Sequence, residues 1–255
     1  MNSIDKVTLV KALDEKLCIA NFSDVSNNGL QVDTTSNRIS KVCTGVDASL
    51  PFFEAAAERG ADMVVCHHGI SWGDSLKYMT GLNFRLVECL MRHHIALWAC
   101  HLPLDAHPEL GNNACLCDVL GLDDRKPFGF YHGQYIGFRG SLPKPVSREA
   151  LAELLRLKVS PRLDVHPFGT DEIRTVGVIS GGGSDSAAEA AKEGLDAFVT
   201  GESNLVSHNF CLQSGLNLFA SGHYATERFG VRAVGDWIAK TFGISHEFID
   251  FDIPY

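Results

Sequence analysis

Apolar positions near the start of the chain recur at helical spacing. Ile4, Val10, Leu13 and Leu17 are interleaved with Asp5, Lys6, Lys11, Asp14 and Glu15, which predicts an amphipathic surface helix. Further on the pattern changes to short β-branched runs separated by Ala-rich segments. Residues 39–68, ISKVCTGVDASLPFFEAAAERGADMVVCHH, read as strand, loop, helix, Gly turn and second apolar strand. That order is a βαβ unit.

The same order returns at residues 173–202, IRTVGVISGGGSDSAAEAAKEGLDAFVTGE. A constant shift of 134 (196 − 62) lays Ile39 on Ile173, Val42 on Val176, Gly60 on Gly194 and Asp62 on Asp196. The correspondence resumes at a shift of 122 (223 − 101), with Cys89-Leu90 on Cys211-Leu212 and His101 on His223. The first copy therefore holds 12 further residues (134 − 122), which the loop GISWGDSLKYMTGLN accommodates. Two Ala-rich helices can match by chance. Two blocks in the same order, ending on a matched His, argue for duplication.

The expected fold is α/β: two related three-layer domains from an internal duplication, with mainly parallel sheets. The first domain is placed at residues 1–126 and the second at 127–229. The tail, about 230–255, reads as a helix and a strand that return to the first domain. Residues 126–160 read as a strand, a Pro-bounded turn and an amphipathic helix that Ser147 caps.

Composition narrows the function classes. A net charge of -9 opposes nucleic-acid binding, which needs a basic face to neutralise phosphates. Small anionic ligands stay open, because a bound metal supplies local positive charge. No run approaches the ~18 apolar residues of a membrane span. The N-terminus also lacks the apolar core of a signal peptide, so a cytoplasmic protein is expected. The eight cysteines show no CxxC spacing and sit mostly in apolar runs such as VVCHH and WACH. They read as reduced, buried thiols rather than disulfides.

Polar groups with metal-binding chemistry gather after four apolar strands. His67-His68 follow MVVC, and His101-Leu-Pro-Leu-Asp105 follow IALWAC; Gly201-Glu202 follow AFVT, and Gly222-His223-Tyr-Ala-Thr-Glu227 follow LFAS. Ligands of open parallel sheets bind at the carboxyl ends of strands, so topology makes these groups converge. His101-x3-Asp105 and His223-x3-Glu227 occupy equivalent places, each an imidazole four residues before a carboxylate. Mixed imidazole and carboxylate ligation suits two divalent cations with open positions, and Glu227 is long enough to bridge them. An isolated His is ordinarily a surface or core residue, which is the reading for His93, His94, His107, His132, His166 and His246. Ser180-Gly-Gly-Gly-Ser184 follows a strand and reads either as an anion cradle or as a tight turn. Glu202 and His208, which follow a second-copy strand toward the same crevice, are candidate proton-transfer groups.

Several segments resemble the Nif-three-like family, some members of which are named type 2 homologues of GTP cyclohydrolase I. They are NGLQV at 28–32, ADMVVCHHG at 61–69, HLPLDA at 101–106, TGES at 200–203 and SGHYATERFGV at 221–231. The resemblance implies that His67, His68, Asp105, His223 and Glu227 bind two divalent ions (zinc, iron or manganese). It makes His101 a further ligand or a support for one. It also implies a homohexamer, and the length fits the family's short form. Pro103 stands where Asn is more usual, and Ser26-Asn27 where Trp-Asp is common. Two functions follow: a metal-dependent hydrolase of a purine nucleotide such as GTP, or a non-catalytic protein that binds or delivers metal.

Overall fold

The computed structural model describes residues 2–255, and the chain divides into two compact units. One takes the chain up to Leu104 together with Gly230–Phe251; the other takes Asp105–Phe229 and Asp252–Tyr255. The crossing falls at Asp105, ahead of residue 126, for a reason of packing. The helix Asn112–Leu120 buries Leu116, Cys117 and Leu120 against Val176, Val178 and Val199 in the core of the second unit.

The sheet of the first unit runs in the order Ser245–Phe248, Lys41–Asp47, Met63–His68, Ala96–Ala99, Gly29–Val32. Its first four strands are mutually parallel, and Gly29–Val32 borders them antiparallel. The helices Leu50–Glu58 and Gly81–Arg92 lay Phe52, Phe53, Ala56, Leu86 and Leu90 on one face, against Cys43, Val64 and Leu97. Alternation along the strand sends Trp98 to the other face. There its Nε1 donates to Asp14 Oδ1 of the helix Lys6–Lys16 at 2.9 Å. Helices thus cover both faces, which makes three layers. The inward stripe of that N-terminal helix is Leu9, Leu13 and Leu17, one residue off the expected Val10. Asp5 caps it by accepting from Thr8 N at 3.0 Å.

The sheet of the second unit runs Asp123–Tyr131, Gln134–Ser147, Glu172–Ile179, Ala197–Thr200, Asn217–Ala220, Asp164–Pro167. Its centre, the strands from Glu172, Ala197 and Asn217, is parallel, and antiparallel strands border it on both sides. This parallel trio is the counterpart of Lys41–Asp47, Met63–His68 and Ala96–Ala99, as the repeat requires. Where one strand and a Pro-bounded turn are expected, the chain makes a long hairpin. His132 (φ 47) and Gly133 (φ 87) supply its two-residue, positive-φ turn. The second strand then continues through Pro143 and Pro145 to Ser147, whose Oγ accepts from Ala150 N at 3.2 Å and starts the next helix.

All eight cysteines are free thiols, five of them buried. Among the described residues, no helix is long and apolar enough to cross a membrane.

Candidate metal centre

In the first unit, two parallel strands deliver three imidazoles. His67 and His68 end the Met63–His68 strand, and His101 lies two positions beyond Ala96–Ala99. Their ligand nitrogens lie within 4.8 Å of one another, and His67 is fully buried. Each ring is held from behind by an acceptor. His67 Nδ1 lies 2.9 Å from Cys100 O, His68 Nδ1 2.8 Å from Asp47 Oδ1, and His101 Nδ1 3.0 Å from Asp24 Oδ1. A carbonyl or carboxylate only accepts, so in each neutral ring Nδ1 carries the hydrogen and Nε2 the lone pair.

Asp24 is a strong anchor. Burial alone would raise its carboxyl, but bonds from His101, Asn28 Nδ2 and Ser26 N outweigh that and hold it far below the ordinary carboxylate range. It also accepts from Leu102 N at 3.0 Å, tying the ring of His101 to its own main chain. Trp72, on the loop after the His pair, flanks the cluster. Its ring centroid is 5.0 Å from that of His101 and 5.9 Å from that of His68.

In the second unit, Asp105 is 6% exposed and accepts from Ser180 Oγ at 2.9 Å and Asn112 Nδ2 at 2.8 Å. His223 opens a long helix, and Glu227, one turn on, shares its face. Their Nε2 and Oε1 are 3.2 Å apart, and Glu227 is 3% exposed. The remaining nitrogen of His223, Nδ1, meets Glu202 Oε1 at 2.6 Å. Burial opposes a charge on His223, yet Glu227 and Glu202 prevail and raise its pKa to about 9. An imidazole between two carboxylates is a site prepared for a cation: it takes a proton in the absence of metal and can exchange it for one.

Gly181 shows why the SGGGS segment is glycine-rich. Its φ is +61, and a Cβ there would fall 2.2 Å from Glu227 Oε1 and 3.0 Å from His223 Nε2. Two amides of the segment are already engaged, Ser180 N with Asn113 Oδ1 and Gly181 N with Thr226 Oγ1. The segment is therefore first a structural turn against the carboxylate.

Each unit thus assembles its own set: His67, His68 and His101 in one, His223 with Glu227, and Asp105 on its own polar anchors, in the other. Glu202 joins the second set as the support of His223. His208 does not join it; its Nδ1 lies 2.8 Å from His166 Nδ1, beside Phe168, and His166 Nε2 meets Asp164 at 3.1 Å. Sequence reasoning missed Asp24, Asp47 and Trp72. Asp47 ends a strand of the repeat and Asp24 precedes NGLQV by four residues, but neither carries a spacing that marks a ligand support. The donor set fits divalent metal: imidazole nitrogens presented by backed rings, buried carboxylates, and no thiolate. Burial pushes the Cys66 thiol well up and that of Cys117 to about 12.

The sequence matches one family over residues 5–253. The chain belongs to the Duf34/NIF3 (NGG1p interacting factor 3) family. A member from Deinococcus radiodurans, named GTP cyclohydrolase 1 type 2 homolog, is 40% identical over 248 residues, covering 97% of this chain and 94% of its own. The Haemophilus influenzae protein of the same name is 35% identical, with both chains covered in full. Among solved structures, protein ybgI, described as of unknown function, superposes with a TM-score of 0.92 at 34% identity, covering 99% of this chain and 100% of its own. TTHA1606 from Thermus thermophilus gives 0.89 at 36% identity, with 98% and 99% covered. The family's two-unit α/β fold therefore extends over the whole chain.

Proposed function

We propose that these residues hold two divalent cations per chain (zinc, iron or manganese) and that the protein hydrolyses a purine nucleotide such as GTP. The observation that carries the metal reading is the uniform backing of the rings. In His67, His68, His101 and His223 alike, an acceptor takes Nδ1 and leaves Nε2 as the ligand atom, the arrangement that orients metal-binding histidines. Asp105 and Glu227 would add the hard oxygen ligands. Four imidazoles are too soft a set for calcium or magnesium.

Cations held there supply Lewis acidity and offset the repulsion between an anionic substrate and a protein of net charge -9. The chain itself does the positioning. Ser180 and Asn112 fix Asp105, and Gly181 keeps side chains out of the space beside Glu227 and His223. Glu202, with a side chain 53% exposed, is the proposed proton-transfer group, because it touches both His223 and solvent. The shared name of the relatives supports a guanine nucleotide as substrate. The working form is proposed to be a homohexamer, as the resemblance implies, and the protein to be cytoplasmic.

A second reading, a non-catalytic protein that binds or delivers metal, draws on one observation. Glu202 is engaged by His223 and His208 by His166, so neither candidate base stands apart from a structural task. Metal-loaded protein incubated with GTP, with ring opening and phosphate release followed separately, tests the choice. The hydrolase reading expects turnover that Asp105→Ala and Glu227→Ala abolish. Turnover that survives both substitutions, or none at all, leaves the metal-binding reading in its place.

A further inference from the structure

We propose that Trp72 walls a ring-binding subsite beside the imidazole cluster, one that takes a planar nitrogen heterocycle of the purine class; this rests on the nucleotide reading above. Three features of the first unit point to it. The indole stands against two candidate ligands at once, 5.0 Å from His101 and 5.9 Å from His68 between ring centroids. A planar molecule bound at this cluster would have an aromatic side chain within ring-contact distance of the same two imidazoles.

The indole is also fixed. Its Nε1 donates to Gly69 O at 2.7 Å, and its main-chain N to Ser75 Oγ at 2.8 Å. Gln31 Oε1 accepts from Ile70 N and Ser71 N, and Asn27 Nδ2 donates to Ser71 Oγ and Gly73 O. Ser26 and Trp72 form an isolated antiparallel bridge, so this loop is tied to the 24–28 segment that supports His101. An immobile ring loses little freedom on binding, which favours its use as a platform. Core filling does not account for it. Trp98 fills the core at 1% exposure, whereas Trp72 stays half-buried within a polar loop.

The third feature decides the class of ligand. The single N–H of the indole is spent on Gly69 O, so Trp72 offers a π-surface and no hydrogen bond. Stacking on an aromatic face recognises a flat ring with little regard to its edge atoms. Phosphates gain nothing from that surface and are left to the cations. Ring and phosphate recognition are then separable, and substitution at Trp72 should touch only the first.

The test uses the full-length, metal-loaded protein and measures binding of GTP, guanosine and inorganic tripolyphosphate by calorimetry and tryptophan fluorescence. Wild type should bind GTP more tightly than tripolyphosphate, with quenching of the indole. Trp72→Ala should weaken GTP and guanosine at least tenfold, leave tripolyphosphate within twofold, and keep its metal content by elemental analysis. Trp72→Phe should keep GTP within about threefold, which separates a lost platform from a misfolded loop. Equal binding of GTP and tripolyphosphate by wild type would overturn the subsite and leave the nucleotide-hydrolase reading standing. So would a Trp72→Ala protein that weakens both equally or sheds its metal, since Trp72 is then a shield for the histidines. Failure of wild type to bind any of the three overturns the nucleotide reading, and the subsite with it.

Discussion

Glu202 Oε1 lies 2.6 Å from His223 Nδ1, repeating in the second unit what Asp24 does for His101 in the first, at 3.0 Å. His101 and His223 are the two histidines that the sequence repeat superposes. Their supports have different origins: Asp24 precedes the first copy, whereas Glu202 is the counterpart of His68 (202 − 68 = 134). In both halves a carboxylate thus takes Nδ1 of the ring, but it comes from a different place in the chain.

A ligand support should matter for affinity without being a ligand. Glu202→Gln is expected to weaken metal binding at His223 about 10- to 100-fold, as loss of such supports commonly does, with an unchanged circular dichroism spectrum. Competition with a chromophoric chelator measures this. An affinity equal to wild type would show that Glu202 only decorates the ring.

The duplication makes a stability prediction. Asp196 Oδ2 accepts from Arg174 N, Thr175 N and Thr175 Oγ1 at 3.0, 2.8 and 2.8 Å. Its counterpart Asp62 Oδ2 accepts from Ser40 N and Lys41 N at 2.7 and 3.0 Å. Each carboxylate clasps the start of the neighbouring parallel strand. Asp196→Ala should cost about 2–3 kcal/mol in urea unfolding and Asp62→Ala about 1–2, because fewer donors are orphaned. The reverse order would contradict this account of the two turns.

That pair of aspartates also shows what was legible in the sequence. The turn before each second strand is set by local chemistry, Gly60 and Gly194 at φ +68 followed two residues later by the Asp, so aligning the copies aligns the structures. Residues at strand ends were legible for the same reason, since topology carries His67, His68, His101 and His223 to equivalent edges. Asp24, Asp47 and Trp72 were not. Each acts through a side-chain contact with a residue 21 or more positions away, or across a loop, and such contacts leave no period. The hairpin from Asp123 to Ser147 was hidden by Pro143 and Pro145, which argue for a turn but sit in the outer part of a long strand.

Stability should fall on mild acidification, in part through His246. Burial disfavours its charged form and lowers its pKa, with Asp236 offsetting this only partly; its Nε2 lies 3.0 Å from Thr44 Oγ1. The folded pKa is below the unfolded value of about 6.5, so the unfolded chain binds the proton first. The contribution of this group is intact above about pH 7 and declines as pH falls through 6.5 toward the lowered folded pKa. His246→Gln should flatten that part of a urea-midpoint profile from pH 7.5 to 5.5. A variant as pH-sensitive as wild type throughout would rule His246 out.

Assembly gives a prediction independent of the metals. Light scattering at micromolar concentration should give about six times 27.8 kDa. A monomer under those conditions would refute the hexamer and leave the site residues unaffected.

The claim on which the rest depends is the metal centre. Its most direct test is metal stoichiometry by elemental analysis after reconstitution with zinc, iron or manganese and removal of free ion. Close to two ions per chain are predicted for wild type. His223→Ala and Glu227→Ala should each hold at most one, with an unchanged circular dichroism spectrum. Trace metal in the wild type, or two ions per chain in both variants, would contradict the account.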